Sequence, residues 1–162
     1  MADIKTKEER SRNMAAIKSN DTKPEMLVRR YLHGCGFRYG LHNNNLPGKP
    51  DIVLRKYKTV IFIHGCFWHG HENCKYYRLP KSNVEFWESK IDANRARDKR
   101  VEAELQAKGW RVLIIWECEL KTKERREKTF RELFYILDGI YSHPCYPFAD
   151  SDIAAEPGPP YL

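Results

Sequence analysis

No apolar run in this chain of 162 residues approaches the roughly 18–20 residues that a membrane-spanning helix needs. The opening Met1-Ala2-Asp3-Ile4-Lys5 lacks the apolar stretch of a secretion signal, so a cytoplasmic protein is expected. Internal repeats are missing too, which excludes a solenoid or propeller. Cysteine is scarce and odd in number, at five. A disulfide scaffold of this size would pair its cysteines, so a reducing compartment fits better, and clustered Cys and His become candidate metal ligands. Cations vanish from Asp138 onward, where Asp138, Asp150, Asp152 and Glu156 meet no Lys or Arg.

What is present is charge of the other sign. Lys and Arg number 29 against 22 Asp and Glu, a net charge of +7 with a pI near 9.2. The four terminal carboxylates leave +11 on the residues before them. A body that basic attracts polyanions, of which nucleic acid is the commonest, although a solubilising surface would show the same sum. At 41% hydrophobic, 31% charged and a mean hydropathy of −0.71, the composition is that of a soluble domain able to bury a core without disulfides.

Punctuation along the chain divides it. Thr6-Lys7-Glu8-Glu9 is a capping box opening a charged first helix through Ala15, Ala16 and Ile17, which reads as an arm rather than a core element. Thr22-Lys23-Pro24-Glu25 opens a second helix, with Val28, Leu32 and Cys35 on one face and Gly34 and Gly36 ending it. A short strand is expected at 37–41. Strands at 51–56 and 59–64, separated by Tyr57-Lys58, form a hairpin, and the apolar Val60-Ile61-Phe62-Ile63 indicates cover on both faces. A long helix from Val84 to Ala107, closed by Gly109, leads to a strand around Val112-Leu113-Ile114-Ile115. Strand, helix, strand implies a right-handed crossover between parallel neighbours. A last helix spans 123–137, and residues from Ser142, with five of the nine prolines, read as an irregular tail. Residues 1–20, 21–141 and 142–162 are thus arm, core and Pro-rich acidic tail.

Polar residues interrupt two apolar stripes. Glu25 lies one turn back along the stripe of the second helix, either completing its capping box or facing a site. In the long helix, Trp87, Ile91, Val101 and Leu105 make a normal stripe with Asn94 and Asp98 in its middle. A buried aspartate needs a partner, so Asp98 is either half of an ion pair with an Arg or part of a site.

The densest chemistry is His64-Gly65-Cys66-Phe67-Trp68-His69-Gly70-His71-Glu72-Asn73-Cys74. His71-x2-Cys74 has ligand spacing, with Cys66 close by. Cys66 and Cys118 each follow one of the two parallel strands, whose C-terminal ends would sit side by side. Cys66, His71, Cys74 and Cys118 then form a Cys3His structural zinc site, against the alternative of four unrelated buried residues. Four protein ligands leave no open position, so the zinc would brace the loop while His64 and His69 stay available for chemistry. Cys35 reads as core and Cys145 as tail. Separately, Pro50-Asp51 puts a carboxylate at the head of a strand, suited to Mg2+ with a main-chain carbonyl near Ile63 as a second oxygen ligand.

Together these stretches resemble the very short patch repair (Vsr) DNA mismatch endonucleases. The resemblance runs through Arg12-Asn13-Met14, the segment from Asp21-Thr22 to Glu25, Leu46 to Val53, Val60 to His69, Glu85-Phe86-Trp87 and Gly109 to Cys118, and fades in the last helix. It implies a single-domain, mixed α/β fold of the restriction-endonuclease-like PD-(D/E)xK type, with the usual Glu-x-Lys replaced by a histidine-bearing strand. The implied activity is nicking of one strand of double-stranded DNA, 5′ of the thymine in a T:G mismatch left by deamination of 5-methylcytosine. By the same resemblance Asp51 binds Mg2+ with the Ile63 carbonyl, and Glu25, His64, His69 and Asp98 complete the catalytic set. Phe67, Trp68 and Trp87 wedge into the duplex, while Arg12, Met14, Lys90 and Asn94 contact DNA. The segment 70–74 is one residue longer than the family pattern, which sets His69 and His71 as alternatives for the zinc. A monomer is expected, nucleoid-associated, with mismatch-repair proteins as partners. The rival reading is a zinc-braced nucleic-acid-binding module without catalysis, which explains charge, aromatics and cysteines but not three carboxylates converging on histidines.

Overall fold

A computed structural model describes residues 6–138; the expected tail, Cys145 and the first five residues of the arm lie outside the described residues. Helix α1 (Lys7–Ala15) starts on the capping box, with Thr6 Oγ1 and the Glu9 carboxylate exchanging backbone bonds, and buries nothing. Helix α2 (Lys23–Gly34) is capped by Thr22 and ends as Gly36 turns the chain into the left-handed region. Strand β1 is only Gly40–Leu41, shorter than expected, and β2 is Ile52–Leu54. A 3-10 turn (Arg55–Tyr57) and a left-handed Lys58 replace the end of the anticipated strand and lead into β3 (Thr59–His64). Helix α3 (Val84–Ala107), β4 (Arg111–Trp116), a second 3-10 turn (Glu117–Leu120) and α4 (Lys123–Asp138) follow.

The four strands lie in the order β1-β2-β3-β4, antiparallel up to β3 and parallel between β3 and β4, where Thr59 pairs with Arg111 and His64 with Trp116. The long helix between them makes the parallel pairing feasible. Alternation along β3 sends Ile61 and Ile63 to one face, against α2 and α4, and Val60 and Phe62 to the other, against α3. The first face is the larger. Val28, Tyr31, Leu32, Phe130 and Leu133 close over Ile52, Leu54, Ile61 and Ile115, and Tyr31 stacks on Phe130 at 4.2 Å with its hydroxyl on the Phe130 carbonyl. Each such side chain contributes about 1.5–3 kcal/mol on burial. The mixed α/β sheet flanked by helices is thus as expected, and Cys35 packs at the edge of this core.

Cover is complete at the start of β3 and opens at Phe62 and Ile63, which are only partly buried, before His64 is buried again. That opening is the head of a cleft.

Candidate active site

The cleft has a volume of about 1210 Å³, and Glu25, Asp51, Ile63, His64, His69 and Asp98 all line it. The segment after α1, from Ala16, forms another part of its wall.

Asp51 sits one residue before β2, and its Oδ2 accepts the Ile63 N–H at 2.7 Å. Within a strand the N–H and C=O of one residue face the same side, so the Ile63 carbonyl lies on the Asp51 edge of β3. Burial pushes the Asp51 carboxyl up to about 6, opposed by the Ile63 hydrogen bond and reinforced by the negative charge of Glu25. A carboxylate so desolvated, beside a main-chain oxygen, suits a hard divalent cation.

Of its two alternatives Glu25 takes the second: among the described residues no bond runs from the Thr22 N–H to its carboxylate, and it lines the cleft. Its backbone N–H is capped by Thr22 Oγ1, but its carboxylate is buried at 3% exposure and takes Arg29 Nη2 at 2.8 Å and the Asp21 N–H at 3.1 Å. Arg29 also donates to Asp21 Oδ1 at 2.5 Å and to His42 Nε2 at 2.8 Å. Arg has no acceptor, so Nε2 of His42 is the unprotonated nitrogen. Arg29 and His42 were not anticipated. The i, i+4 spacing of Glu25 and Arg29 was a usable signal, whereas nothing near His42 in sequence marks it.

On the facing wall, His69 Nδ1 meets Asp98 Oδ2 at 2.6 Å. Asp98 is therefore not primarily the partner of an Arg; Arg97 reaches its other oxygen only at 3.7 Å. Burial acts to raise the Asp98 pKa, but the His69 hydrogen bond and charge outweigh it and hold the carboxyl below its ordinary value. A carboxylate only accepts, so the His69 Nδ1 carries a proton and donates it to Asp98. The His69 ring lies flat on His64 at 3.7 Å, and burial drives the His64 pKa down to about 3, so that ring is neutral.

Behind the dyad, one ligand atom each from Cys66, His71, Cys74 and Cys118 falls within 4.8 Å of all the others. His71 Nδ1 is 3.5 Å from both Cys66 Sγ and Cys118 Sγ. A zinc tetrahedron with bonds of about 2.3 Å to sulfur and 2.0 Å to nitrogen has an S···N edge near 3.5 Å, so the donor set fits. His71 is held by stacking on Trp116 at 4.0 Å, and burial lowers its pKa, keeping it neutral as a ligand must be. Burial raises both the Cys66 and Cys118 thiols, which an ion would have to deprotonate. Of the two histidines in the longer loop, His71 joins the cysteines and His69 joins Asp98.

The aromatics differ from expectation in one respect. Phe67 is buried, not exposed, and lies edge-on to Trp68 and Trp87 at 5.2 and 5.3 Å. Trp68 and Trp87 are half-buried, and Phe86 beside Trp87 is the exposed end of the series at 60%. On α3, Asn94 donates to the Trp68 carbonyl at 2.8 Å and Lys90 faces solvent. Arg12 and Met14 are exposed on α1.

Comparison with known proteins bears on the class of the protein. Residues 2–75 match the family model described as DNA mismatch endonuclease Vsr. The type II nicking enzyme V.NmeAIP of Neisseria meningitidis is 51% identical over 82% of this chain and 97% of its own length. V.XorIIP of Xanthomonas oryzae, another type II nicking enzyme, is 47% identical over 82% and 97%. The DNA mismatch endonuclease Vsr of Escherichia coli is 46% identical over 77% and 80%. Among solved structures, the catalytic domain of the homing endonuclease I-Bth0305I aligns with a TM-score of 0.47 at 25% identity, over 72% of this chain and 94% of that domain. By the family model and the curated relatives the class is that of DNA endonucleases, which removes the reading as a non-catalytic binding module. Within it, the chain belongs to the DNA mismatch endonuclease Vsr family.

Proposed function

We propose that the enzyme nicks one strand of double-stranded DNA 5′ of the thymine in a T:G mismatch, in a Mg2+-dependent hydrolysis, on a core of the restriction-endonuclease-like type. The observation that carries this is the meeting in one cleft of Asp51, bonded to Ile63, with the His69–Asp98 pair. Asp51 and the Ile63 carbonyl would hold Mg2+, which when bound supplies charge for the scissile phosphate and the leaving 3′ oxygen. His69 Nε2 takes the proton of the attacking water, while Asp98 orients the ring and stabilises its charged form. His64 presents a neutral flat face that fixes the plane of His69. Glu25, held by Arg29, orients solvent around Asp51. The product is a nick with a 5′-phosphate.

Zinc on Cys66, His71, Cys74 and Cys118 braces the loop from which His69 projects. Trp68 and Trp87, footed on Phe67, enter the duplex beside the mismatch, where the weaker T:G stack lowers an unstacking cost of a few kcal/mol. Arg12 and Met14 on the arm of residues 1–20, with Lys90 and Asn94 on α3, hold the DNA from two sides. The enzyme works as a cytoplasmic, nucleoid-associated monomer, with mismatch-repair proteins as partners.

The test is incubation of the protein with a T:G duplex, a matched duplex and Mg2+. A nick confined to the thymine strand of the mismatch, and lost without Mg2+, is expected. Equal cutting of both duplexes, or none of either, overturns the proposal.

A further inference from the structure

His69 and His71 are separated by one residue and serve different centres. Gly70 between them has φ +59°, and a Cβ there would strike the Arg95 and Ile91 side chains. The turn is built from three backbone bonds: His69 N–H to the Gly65 carbonyl at 3.1 Å, Gly70 N–H to Phe67 at 3.2 Å, and His71 N–H to Cys66 at 2.9 Å. Two of its carbonyls are taken by side chains of α3: that of Trp68 by Asn94, and that of Gly70 by Arg95. Arg95 donates to the Gly70 oxygen twice, from Nε at 3.0 Å and Nη2 at 2.6 Å. The guanidinium is itself fixed, with Nη1 3.5 Å from Asp92 Oδ1 and its centre 5.3 Å from the ring of Tyr77.

Asn94, Arg95 and Asp98 occupy neighbouring positions on one face of α3 and engage three consecutive loop residues: the Trp68 carbonyl, the Gly70 carbonyl and, between them, the His69 ring. The N–H bonds of the turn and the Asn94 contact hold the residues before and at His69, and leave the carbonyl of Gly70, one residue further on, to be fixed from α3. A guanidinium whose Nε and Nη2 converge on that one oxygen restricts its freedom, because two donors on one rigid plane limit the directions from which the oxygen can be held.

We propose that Arg95 is a positioning residue of the nicking reaction: by clamping the Gly70 carbonyl, it sets the His69 imidazole against Asp98 while His71 faces the cysteines. The proposal rests on the reading of His69 as the proton acceptor. A reacting group displaced by about 1 Å costs on the order of 100-fold in rate, so a loosened turn should be seen in kcat.

Arg95→Met keeps the length and removes the donors. Nicking of a T:G duplex should fall 10- to 100-fold in kcat, with KM, zinc content and duplex affinity within about twofold of wild type. Arg95→Lys, which restores a single donor, should recover part of the loss. The ring 15N spectrum of the zinc-loaded protein gives a readout that a purely structural role would leave unmoved: the downfield His69 Nδ1–H signal should weaken and broaden while the His71 signals stay in place. Gly70→Ala should reproduce the same spectrum. An Arg95→Met enzyme with wild-type kcat, or one that loses zinc or cooperative melting, overturns the proposal. The two readings separate in His69→Ala: full nicking by that variant removes His69 from the reaction, whereas its inactivity beside a fully active Arg95→Met removes only the role given to Arg95.

Discussion

His69 and Asp98 lie 29 residues apart in sequence and 2.6 Å apart in space, each on an element that packs against the other. Ile91, fully buried beneath Gly70, anchors the first half of α3 to the loop. Asp98→Asn keeps the shape and can still bond the ring, but its amide allows the tautomer with Nε2 protonated. Single-turnover nicking should drop about 10²- to 10⁴-fold, with the melting temperature nearly unchanged. Wild-type rates in this variant would remove Asp98 from the reaction.

Asp51 links the site to stability with an unfavourable sign at neutral pH. Its folded pKa near 6 lies above the ordinary value of 3.8, so the folded state holds the proton more tightly than the unfolded chain. The associated stability is present below the unfolded value and is lost as pH rises through about 6. Asp51→Asn should therefore stabilise the protein at pH 7.5 without added Mg2+, by at most about 3 kcal/mol, and the gain should vanish towards pH 4. The same variant should not nick. Thermal melts at the two pH values decide it, and a variant less stable than wild type at pH 7.5 contradicts the burial account.

Phe67 and Trp68 are neighbours with opposite expected phenotypes. Phe67 is buried, and its truncation to Ala should cost about 3–5 kcal/mol of stability. Trp68→Ala should leave melting within a few degrees but reduce the preference for a T:G over a matched duplex about tenfold, read from competitive nicking. Should both variants behave alike, the division into foot and wedge is wrong.

Zinc should be needed for activity without touching substrate. Cys118→Ser is expected to release the ion, measured by elemental analysis, and to lower kcat through disorder of the turn at Gly70. Because the Cys66 and Cys118 thiols are raised by burial, uptake of zinc by the metal-free protein should release protons and weaken as pH falls. Full zinc retention in the Cys118→Ser protein would exclude Cys118 as a ligand.

Much of this could be read from sequence because its signals are local. Thr22, Pro24 and Gly36 mark the ends of α2, and an aspartate in an apolar stripe marked Asp98 before any partner was known. Cys118 followed from topology, since parallel strands bring their ends together. The burial of Phe67 was not legible, because a loop without periodicity gives no rule for which ring turns inward. Nor was the network of Arg29, His42 and Asp21, in which Asp21 and His42 take positive φ of 56° and 44° to point at one guanidinium. Such backbone choices are decided by tertiary contacts that no neighbouring residue encodes.

The parallel pairing of β3 and β4 has a last consequence. Both strands end at the same edge of the sheet, where Cys66 N–H is held by Glu117 Oε1 at 3.1 Å. From His64 to His71 the chain meets the sheet edge, the cysteines and α3 in turn, so its length between Cys66 and His71 is a ruler separating brace from reagent. Between the two anchors a single added residue would swing His69 out of reach of Asp98 while leaving the zinc site intact.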